Sequence, residues 1–323
     1  MERKIGENIQ LDLDGFSGNK IEVIRSNKNT FVRKTAKHID ENEKIKKEIK
    51  KLQKLHKIAE ETNEFKVPKF IKSEINDTGL LTYELEFISG ENFDSSLEKL
   101  NSEKIKLFAK KLGKIIKIIS KENTNAQINE KEFLYYKFEE MIKNIGKRKL
   151  STTLGNELFI ELKKNIQNLE IKNSEIKNKS TFCHGDLALD NILLTKKNEI
   201  YLIDPLYNDY ESSMWDYAKV LQSSMTHWNL IKYQNFELIS NKKKIFISPN
   251  EHITMFNQHF LKNLEDQNRP TITLYLAATL SRITKYSKTE KQLSALIIII
   301  NELLTDYSNG KCKLNGTLNS LRW

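Results

Sequence analysis

The segment from Cys183 to Asp204 constrains what this chain can fold into more than any other. It reads CHGDLALDNILLTKKNEIYLID, in which two apolar, β-branched runs flank a polar Lys-Lys-Asn-Glu turn. This composition predicts a β-hairpin. A tight hairpin brings its entering and leaving residues to the same end, so we expect Asn191 and Asp204 to lie side by side, with Asp186 five residues before Asn191. An acid, an amide and a second acid at the open end of one hairpin suit the binding of Mg²⁺ and the orientation of a hydroxyl.

Length and composition indicate a folded protein of two lobes. The 323 residues exceed what one hydrophobic core usually organises. The longest apolar run, Ala295–Ile300, is far shorter than the ~20 residues that span a bilayer, and the first residues lack the apolar core of a signal peptide. We therefore expect a cytoplasmic protein without membrane insertion. The two cysteines fit neither a disulfide scaffold nor a zinc site.

The net charge of +10 comes mostly from Lys residues spread along the chain. A nucleic-acid-binding surface would carry aromatic side chains interleaved with Arg, and such a pattern is not evident. We therefore expect solvated Lys faces and no nucleic-acid partner. A basic field would also attract a nucleotide or a phosphorylated substrate, so the charge alone does not identify the ligand.

Residues 9–36 show the alternation of a β-meander, strand, turn, strand, turn, strand. The first turn contains Gly15, Ser17 and Gly18. These residues would let backbone amides approach phosphates, although an ordinary hairpin turn has the same composition.

In the third predicted strand, Val32 and Lys34 point to one face and Arg33 to the other. Val32 against a base and Lys34 on phosphates would suit a nucleotide, with a plain strand-edge charge as the alternative for Lys34 and Arg33 as the fallback. In the helix that follows, Glu48 lies on or beside the apolar stripe. Because burying an unpaired carboxylate is costly, we expect Glu48 to pair with Lys34 or to reach solvent at the edge of the stripe.

Residues 66–71 and 80–88 predict further strands, and we place a lobe boundary after Gly90. Beyond it the spacing of apolar residues is mostly helical. The sequence therefore predicts an α+β protein with an N-terminal domain, 1–90, and a C-terminal domain, 91–323. The main predicted helices are Lys104–Ser120, Phe133–Ile145, Leu158–Leu169, Met214–Ser224, Ile253–Leu264, Thr273–Ile283 and Lys291–Tyr307.

The run His184-Gly185-Asp186, with Asn191 after it and Asp204 thirteen residues later, resembles the signature of the aminoglycoside phosphotransferase and choline kinase-like small-molecule kinases. Asp216–Ser223 is also similar to a branch found among surface-polysaccharide biosynthesis phosphotransferases. Other segments match the family in order: Gly15–Asn19 resembles its phosphate loop, Lys34 its strand-three lysine, Glu48 its helix-C glutamate, Leu85–Gly90 its hinge, and Trp215–Lys219 its aspartate-bearing helix.

This resemblance implies a bilobal protein kinase-like fold, with a β-rich N-lobe and a mostly helical C-lobe that carries the catalytic β-hairpin. It implies Mg²⁺-dependent transfer of the γ-phosphate from ATP, with GTP left open as the donor, to a small-molecule hydroxyl. Asp186 would accept or orient the hydroxyl proton, and Asn191 and Asp204 would hold Mg²⁺. The nucleotide contacts it implies are Lys34, Glu48, Gly15, Ser17, Gly18, Val32, Glu86, Phe87, Ile88 and Ile203.

Two further residues are expected to support the loop. His184 would brace it by hydrogen bonds, and Asp216 would be a buried acceptor for its N–H groups. Asp190 is either exposed or a minor substrate contact. Asp209 and Glu211 either bind the acceptor or belong to a solvated loop.

The predicted function is phosphorylation of a sugar, amino alcohol or aminoglycoside-like acceptor, with surface-polysaccharide biosynthesis as a narrower expectation. A protein kinase-like regulator, a nucleotide-binding pseudokinase and a basic nucleic-acid-binding protein are the alternatives. The presence of Lys34, Asp186, Asn191 and Asp204 together disfavours a pseudokinase. The sequence leaves the acceptor and the oligomeric state open.

Overall fold

The computed structural model describes residues 8–14, 20–25, 29–122, 124, 129–172, 180–312, 314 and 318–322. By its contacts the chain divides into two compact units. The first unit comprises residues 1–93 and 191–207, and the second comprises residues 94–190 and 208–323. The predicted domain boundary after Gly90 remains a prediction, and the hairpin segment groups with the first unit.

The first unit is built on an antiparallel sheet with the strand order β1-β2-β3-β5-β4. The predicted β-meander is therefore confirmed. The strand expected at 66–71 begins later, because Pro68 has no amide hydrogen to donate to a ladder. Gly15, Ser17 and Gly18 lie outside the described residues. The strands are β1 (Asn8–Asp14), β2 (Lys20–Arg25), β3 (Thr30–Thr35), β4 (Phe70–Ile75) and β5 (Leu81–Glu86).

Helix α1 (Asn42–Thr62) packs its apolar side chains against this sheet. Ile45 and Ile49 form a buried cluster with Ala36 and Leu81, and each such aliphatic side chain contributes about 1.5–3 kcal/mol on burial. The Asn42 side chain donates to the Gly79 carbonyl at 2.8 Å and accepts from the Leu81 amide at 2.9 Å. The start of α1 is thereby tied to the turn between β4 and β5.

The predicted hairpin is present in the first unit. Strands β6 (Gly90–Asn92), β7 (Ile192–Thr195) and β8 (Ile200–Leu202) pair antiparallel in that order. Asn198 turns the chain with a φ of 59°, a conformation that Asn tolerates. A Cβ at Gly90 would lie 3.1 Å from the Leu194 carbonyl oxygen, so glycine permits the close approach of β6 to β7.

The second unit is mostly helical. Every side chain from Trp215 to Ser224 is buried in one of its helices, α6, which packs against α3, α8 and α9. The helices are α2 (Phe93–Leu97), α3 (Ser102–Ile119), α4 (Glu130–Gly146), α5 (Thr153–Gln167), α6 (Ser213–Ser224), α7 (Trp228–Lys232), α8 (Glu251–Leu261), α9 (Arg269–Ile283) and α10 (Glu290–Ser308).

A small sheet also belongs to this unit, with β9 (Glu237–Ile239), β10 (Lys244–Phe246) and β11 (Leu321–Arg322). Its strands are too short for residue alternation to reveal them in the sequence. The apolar run Ala295–Ile300 is buried within α10, where it contributes to the core. No helix in the described part of the chain is long and apolar enough to cross a membrane.

Candidate active site

Helix α6 fixes the loop from His184 to Asp186 within the second unit. Asp216, in the first turn of α6, is fully buried and accepts hydrogen bonds from the backbone amides of His184 and Gly185, each at 2.8 Å. Gly185 has a φ of 84°, a left-handed conformation in which a side chain would be strained. Asp216 is therefore a buried acceptor that sets the conformation of the loop on which Asp186 lies.

The carboxylate of Asp186 is approached by two cations of the same unit. Lys219 Nζ on α6 lies 2.8 Å from Oδ1 of Asp186, and a terminal nitrogen of Arg282, near the end of α9, lies 3.6 Å from the same oxygen. Burial alone would raise the pKa of Asp186, but Lys219 and Arg282 lower it from 3.8 to about 2. Asp186 is therefore ionised throughout the neutral pH range.

Lys219 is buried and also donates to Oε1 of Gln222 at 3.1 Å. Burial and the charge of Arg282 lower the pKa of Lys219, while Asp186 opposes this effect. The sequence analysis gave neither cation a role. The sequence feature that could have indicated the contact of Lys219 with Asp186 was its position one turn after Asp216 on a predicted helix. Arg282 lies about a hundred positions after Asp186, and no local pattern indicated its contact.

One acidic side chain near Asp186 is Asp190, and Asp94 in turn interacts with Asp190. Burial raises the pKa of Asp190, and the charge of Asp186 raises it further. Burial likewise raises the pKa of Asp94, whose carboxylate accepts a hydrogen bond from the Asn229 side chain. Lys232 acts in the opposite direction on both aspartates. Asp190 is thus neither fully exposed nor remote from the loop.

Asp209 and Glu211 occupy different environments in the second unit. Glu211 is buried, and its carboxylate accepts from the Cys183 thiol and from the Asn208 amide, both at 3.4 Å. Asp209 is exposed. Of these two residues, Asp209 is accessible to solvent and stays a predicted acceptor contact, whereas the carboxylate of Glu211 is bonded within the loop.

A second buried carboxylate anchors the segment before α6. Glu130, the first residue of α4, accepts from the hydroxyls of Tyr275 at 2.7 Å and Tyr210 at 3.1 Å. The Trp215 indole donates to the Tyr210 carbonyl at 3.1 Å, and its ring packs edge-on against Tyr275. These bonds satisfy a group that would be costly to bury alone, and they fix residues 210–215 against α4 and α9.

In the first unit, Lys34 on β3 forms an ion pair with Asp204, two residues after β8. Burial alone would lower the pKa of Lys34, but the charge of Asp204, with smaller contributions from Tyr83 and Glu48, holds it above its ordinary value. Asp204 has a φ of 58°, a conformation that Asp adopts more readily than most residues. The pair joins the predicted phosphate-binding lysine to a predicted metal ligand.

Glu48 does not form the expected ion pair with Lys34, because Lys34 pairs with Asp204 instead. Burial raises the pKa of Glu48, while Lys44, at 3.8 Å, and the backbone amide of Tyr207 lower it. The Glu48 carboxylate therefore binds the chain segment just after Asp204.

Lys51 extends this contact from the same helix. Its buried Nζ donates to the Leu206 carbonyl at 2.7 Å. The expectation of solvated Lys side chains is wrong for Lys51, which is buried. The residue lies on the buried side of α1, where a backbone carbonyl satisfies its charge.

The side chains proposed for the base and the phosphates lie on one face of β3. Val32 and Lys34 alternate with Arg33, which bonds to Glu84 on the opposite face through Nε at 3.1 Å and Nη2 at 2.7 Å. That contact removes the reason to assign the phosphate role to Arg33. In the hinge, the Glu86 amide already donates to the Lys69 carbonyl, so the predicted contact of Glu86 with a base would use its carbonyl, and the backbone of Phe87 and Ile88 stays predicted to contact the base.

The end of the hairpin carries oxygen donors of the kind that Mg²⁺ prefers. Asn191 immediately precedes β7, and its carbonyl accepts from the Ile203 amide at 3.0 Å, which places Asn191 and Asp204 at the same end of the hairpin. Within the described residues, no group of three His, Cys, Asp or Glu side chains could hold a metal. An amide and one carboxylate fit an ion that takes its remaining ligands from phosphates and water.

Comparison with known proteins gives one family match. The model of the choline/ethanolamine kinase family matches residues 79–306, which is more than half of the chain. Among curated proteins, no sequence matches this chain.

Solved structures share the fold at low sequence identity. A putative fructosamine-3-kinase from Haemophilus somnus 129PT is 14% identical, with 90% of this chain and 89% of that chain covered and a TM-score of 0.52. An aminoglycoside phosphotransferase in complex with streptomycin and ATP is 13% identical, with coverages of 95% and 94% and a TM-score of 0.54. Another, with ADP and hygromycin B, is 7% identical, with coverages of 91% and 92% and a TM-score of 0.56. These similarities confirm the predicted α+β, protein kinase-like fold.

Proposed function

Because the chain belongs to the choline/ethanolamine kinase family, we propose that it transfers the γ-phosphate of ATP to a hydroxyl group of a sugar, an amino alcohol or an aminoglycoside-like molecule. The ATP and ADP complexes of proteins with the same fold support this choice of donor. A cytoplasmic location and a role in surface-polysaccharide biosynthesis are narrower parts of the same proposal.

The observation that carries the proposal is the environment of Asp186. Its carboxylate is held by a loop that Asp216 fixes, and its pKa of about 2 keeps it ionised. Such a carboxylate is a weak base at neutral pH. Its main contribution would be to accept a hydrogen bond from the acceptor hydroxyl and to aim that oxygen at the phosphorus atom.

In the first unit, Lys34 and Asp204 would serve the phosphates. Lys34 remains a cation because its neighbours raise its pKa, and it would donate to phosphate oxygens. Mg²⁺ bound by Asn191 and Asp204 would neutralise negative charge on the phosphates. Val32, Ile203 and the backbone of Phe87 and Ile88 would contact the base.

A panel assay tests this function directly. ATP consumption would be measured with Mg²⁺ and a series of sugars, amino alcohols and aminoglycosides, with the Asp186→Asn variant as the matched inactive control. We expect at least one acceptor to stimulate ATP consumption by the unmodified protein and none to stimulate the variant. Slow ATP hydrolysis that no small acceptor stimulates, together with phosphorylation of a protein, would instead identify a protein kinase-like regulator.

A further inference from the structure

Two cations share one carboxylate oxygen of Asp186. Lys219 and Arg282 approach Oδ1 at 2.8 Å and 3.6 Å. Lys219 makes the shorter contact, its side chain is only 4% exposed, and Asp190 also acts on its charge. Arg282 makes the longer contact, and its side chain is 30% exposed.

Arg282 also has hydrogen-bond donors that the described residues do not use. A guanidinium carries five N–H groups. The separation of 3.6 Å from Asp186 is longer than a hydrogen bond, and no hydrogen bond links this guanidinium to another described residue. A planar, partly exposed group with free donors is the arrangement that proteins use to bind phosphate and carboxylate groups.

A second cation reinforces the positive potential at this place. Lys137 lies on α4, which packs against the helix that carries Arg282. Burial lowers the pKa of Lys137, and Arg282 lowers it further, while Glu140 and Asp209 oppose that effect. Lys137 is itself paired with Glu140 at 3.9 Å, so its charge adds only in part to the positive potential that Arg282 creates.

We propose that Arg282 binds an anionic group, a phosphate or a carboxylate, of the same molecule whose hydroxyl Asp186 orients. The inference rests on the proposed function, because the hydroxyl is defined by phosphoryl transfer. It narrows the acceptor from any hydroxyl compound to one that carries a negative charge.

The geometry sets the size of such an acceptor. A hydroxyl bound to Asp186 and an anion bound to Arg282 would each lie about 2.8 Å from their partners. With 3.6 Å between the two protein atoms, the hydroxyl and the anion are separated by at most about 9 Å. A single sugar ring or a short polyol with a phosphate or carboxylate substituent covers that distance.

The acidic residues Asp94 and Asp190 would favour the opposite charge on the acceptor. Burial raises the pKa of each, and Lys232 partly offsets their charge. Arg282 favours an anion, since Lys219 lies closer than Arg282 to the carboxylate that both cations face. The two aspartates favour a cationic acceptor, whereas Arg282 favours an anionic one. A comparison of acceptors that differ in charge therefore discriminates between these predictions.

The test uses matched acceptors with the full-length protein. Glycerol is compared with glycerol 3-phosphate, and ethanolamine with serine, by ATP consumption at several acceptor concentrations. A second readout, titration calorimetry in the absence of ATP with glycerol 3-phosphate, glycerol, serine, ethanolamine and inorganic phosphate, measures binding without turnover. We expect the unmodified protein to favour the anionic member of each pair by at least tenfold in kcat/KM or in Kd.

The variants assign that preference to Arg282. Arg282→Gln should abolish the preference for the anionic acceptor while leaving the KM for ATP within about twofold. Arg282→Lys should retain part of the preference. The control Lys288→Gln, which removes an exposed charge six residues later in the sequence, should retain it fully. Circular dichroism checks that each variant is folded.

Two results overturn the inference: equal or better use of the neutral or cationic acceptors, or an equal loss with all acceptors in Arg282→Gln, which would assign the residue to the phosphate of ATP. If no acceptor stimulates ATP consumption but the calorimetric preference exists and depends on Arg282, the anion site stands and the phosphotransferase proposal fails.

Discussion

Nζ of Lys219 lies 2.8 Å from Oδ1 of Asp186, and both side chains depend on the same helix. Lys219 projects from α6, and the loop that carries Asp186 is bonded to Asp216 one turn earlier on α6. A single buried helix thus sets both the position and the charge state of the carboxylate.

Replacing Lys219 with Met should shift the acid limb of the pH–rate profile to higher pH. Lys219 favours the ionised form of Asp186, so its loss raises the pKa of that carboxyl, and activity is lost at a higher pH as the solution is acidified. An opposite charge at this distance shifts a pKa by about 1–3 units. The profile of kcat/KM from pH 7 down to pH 3 measures the shift, because the acid limb of the unmodified protein lies below this range and that of the variant, at about pH 3–5, lies within it. Lys219→Arg should keep most of the original profile, and an unchanged acid limb in Lys219→Met would show that the contact does not control Asp186.

Asp186→Asn should lower kcat by roughly 10²–10⁴-fold, the range for loss of a group that handles the reacting proton. The amide keeps the shape of the side chain but is uncharged, so it accepts a weaker hydrogen bond from the hydroxyl and its NH2 group can take the place of the acceptor oxygen. Nucleotide affinity, measured by calorimetry, should stay within about twofold of that of the unmodified protein. Asp77→Asn, at an exposed turn, is the control. Turnover near the original rate in Asp186→Asn would remove Asp186 from the proposed chemistry.

Lys34→Met and Arg33→Met should have different effects, although the residues are neighbours on β3. A charge-assisted hydrogen bond is worth about 1.5–3 kcal/mol, so the loss of Lys34 should lower kcat/KM for ATP roughly ten- to hundredfold. Arg33 bonds to Glu84 on the other face, and its loss should reduce stability with little change in ATP use. Steady-state kinetics at varied ATP measures both. An inactive Arg33→Met with an active Lys34→Met would exchange the two assignments.

Asp216→Asn should lower the free energy of unfolding by about 2–4 kcal/mol. The two carboxylate oxygens of Asp216 accept from two buried backbone N–H groups, and in Asn one of these oxygens is replaced with an NH2 group, which cannot accept. Urea denaturation measures the change, with Glu103→Gln on the exposed side of α3 as the control. Activity should also fall, since Asp186 lies on the loop that loses its anchor. A variant as stable as the control would mean that water replaces the lost acceptor.

Local patterns predicted most of the framework. The hairpin around residues 192–202, the β-meander and the long helices such as α3 and α10 were predicted because alternation and helical spacing depend on neighbouring residues in the sequence. The strands β9–β11, with two or three residues each, give no such periodicity.

Partners that are distant in the sequence were harder to predict. Lys34 was expected to pair with Glu48 on the helix stripe, and Asp204, its actual partner, was predicted only as a metal ligand. Which carboxylate pairs with Lys34 depends on the backbone conformation at Asp204. No sequence pattern near Pro205 predicted the positive φ of that residue. Arg282 reaches Asp186 only through the packing of α9 against α6, which is a property of the assembled unit.

The hydrogen bonds from the backbone amides of His184 and Gly185 to Asp216 constrain the order in which parts of the chain fold. The donors precede their acceptor by about thirty positions, so a growing chain contains the whole His184–Asp186 loop before the helix that shapes it. Since α6 is buried on every side, it can dock only when α3, α8 and α9 are in place. The Asp186 carboxylate would then be organised late in folding. Recovery of activity after dilution from denaturant should coincide with the burial of Trp215 and not precede it, measured by fluorescence in a protein whose other two tryptophans, Trp228 and Trp323, are replaced with Phe.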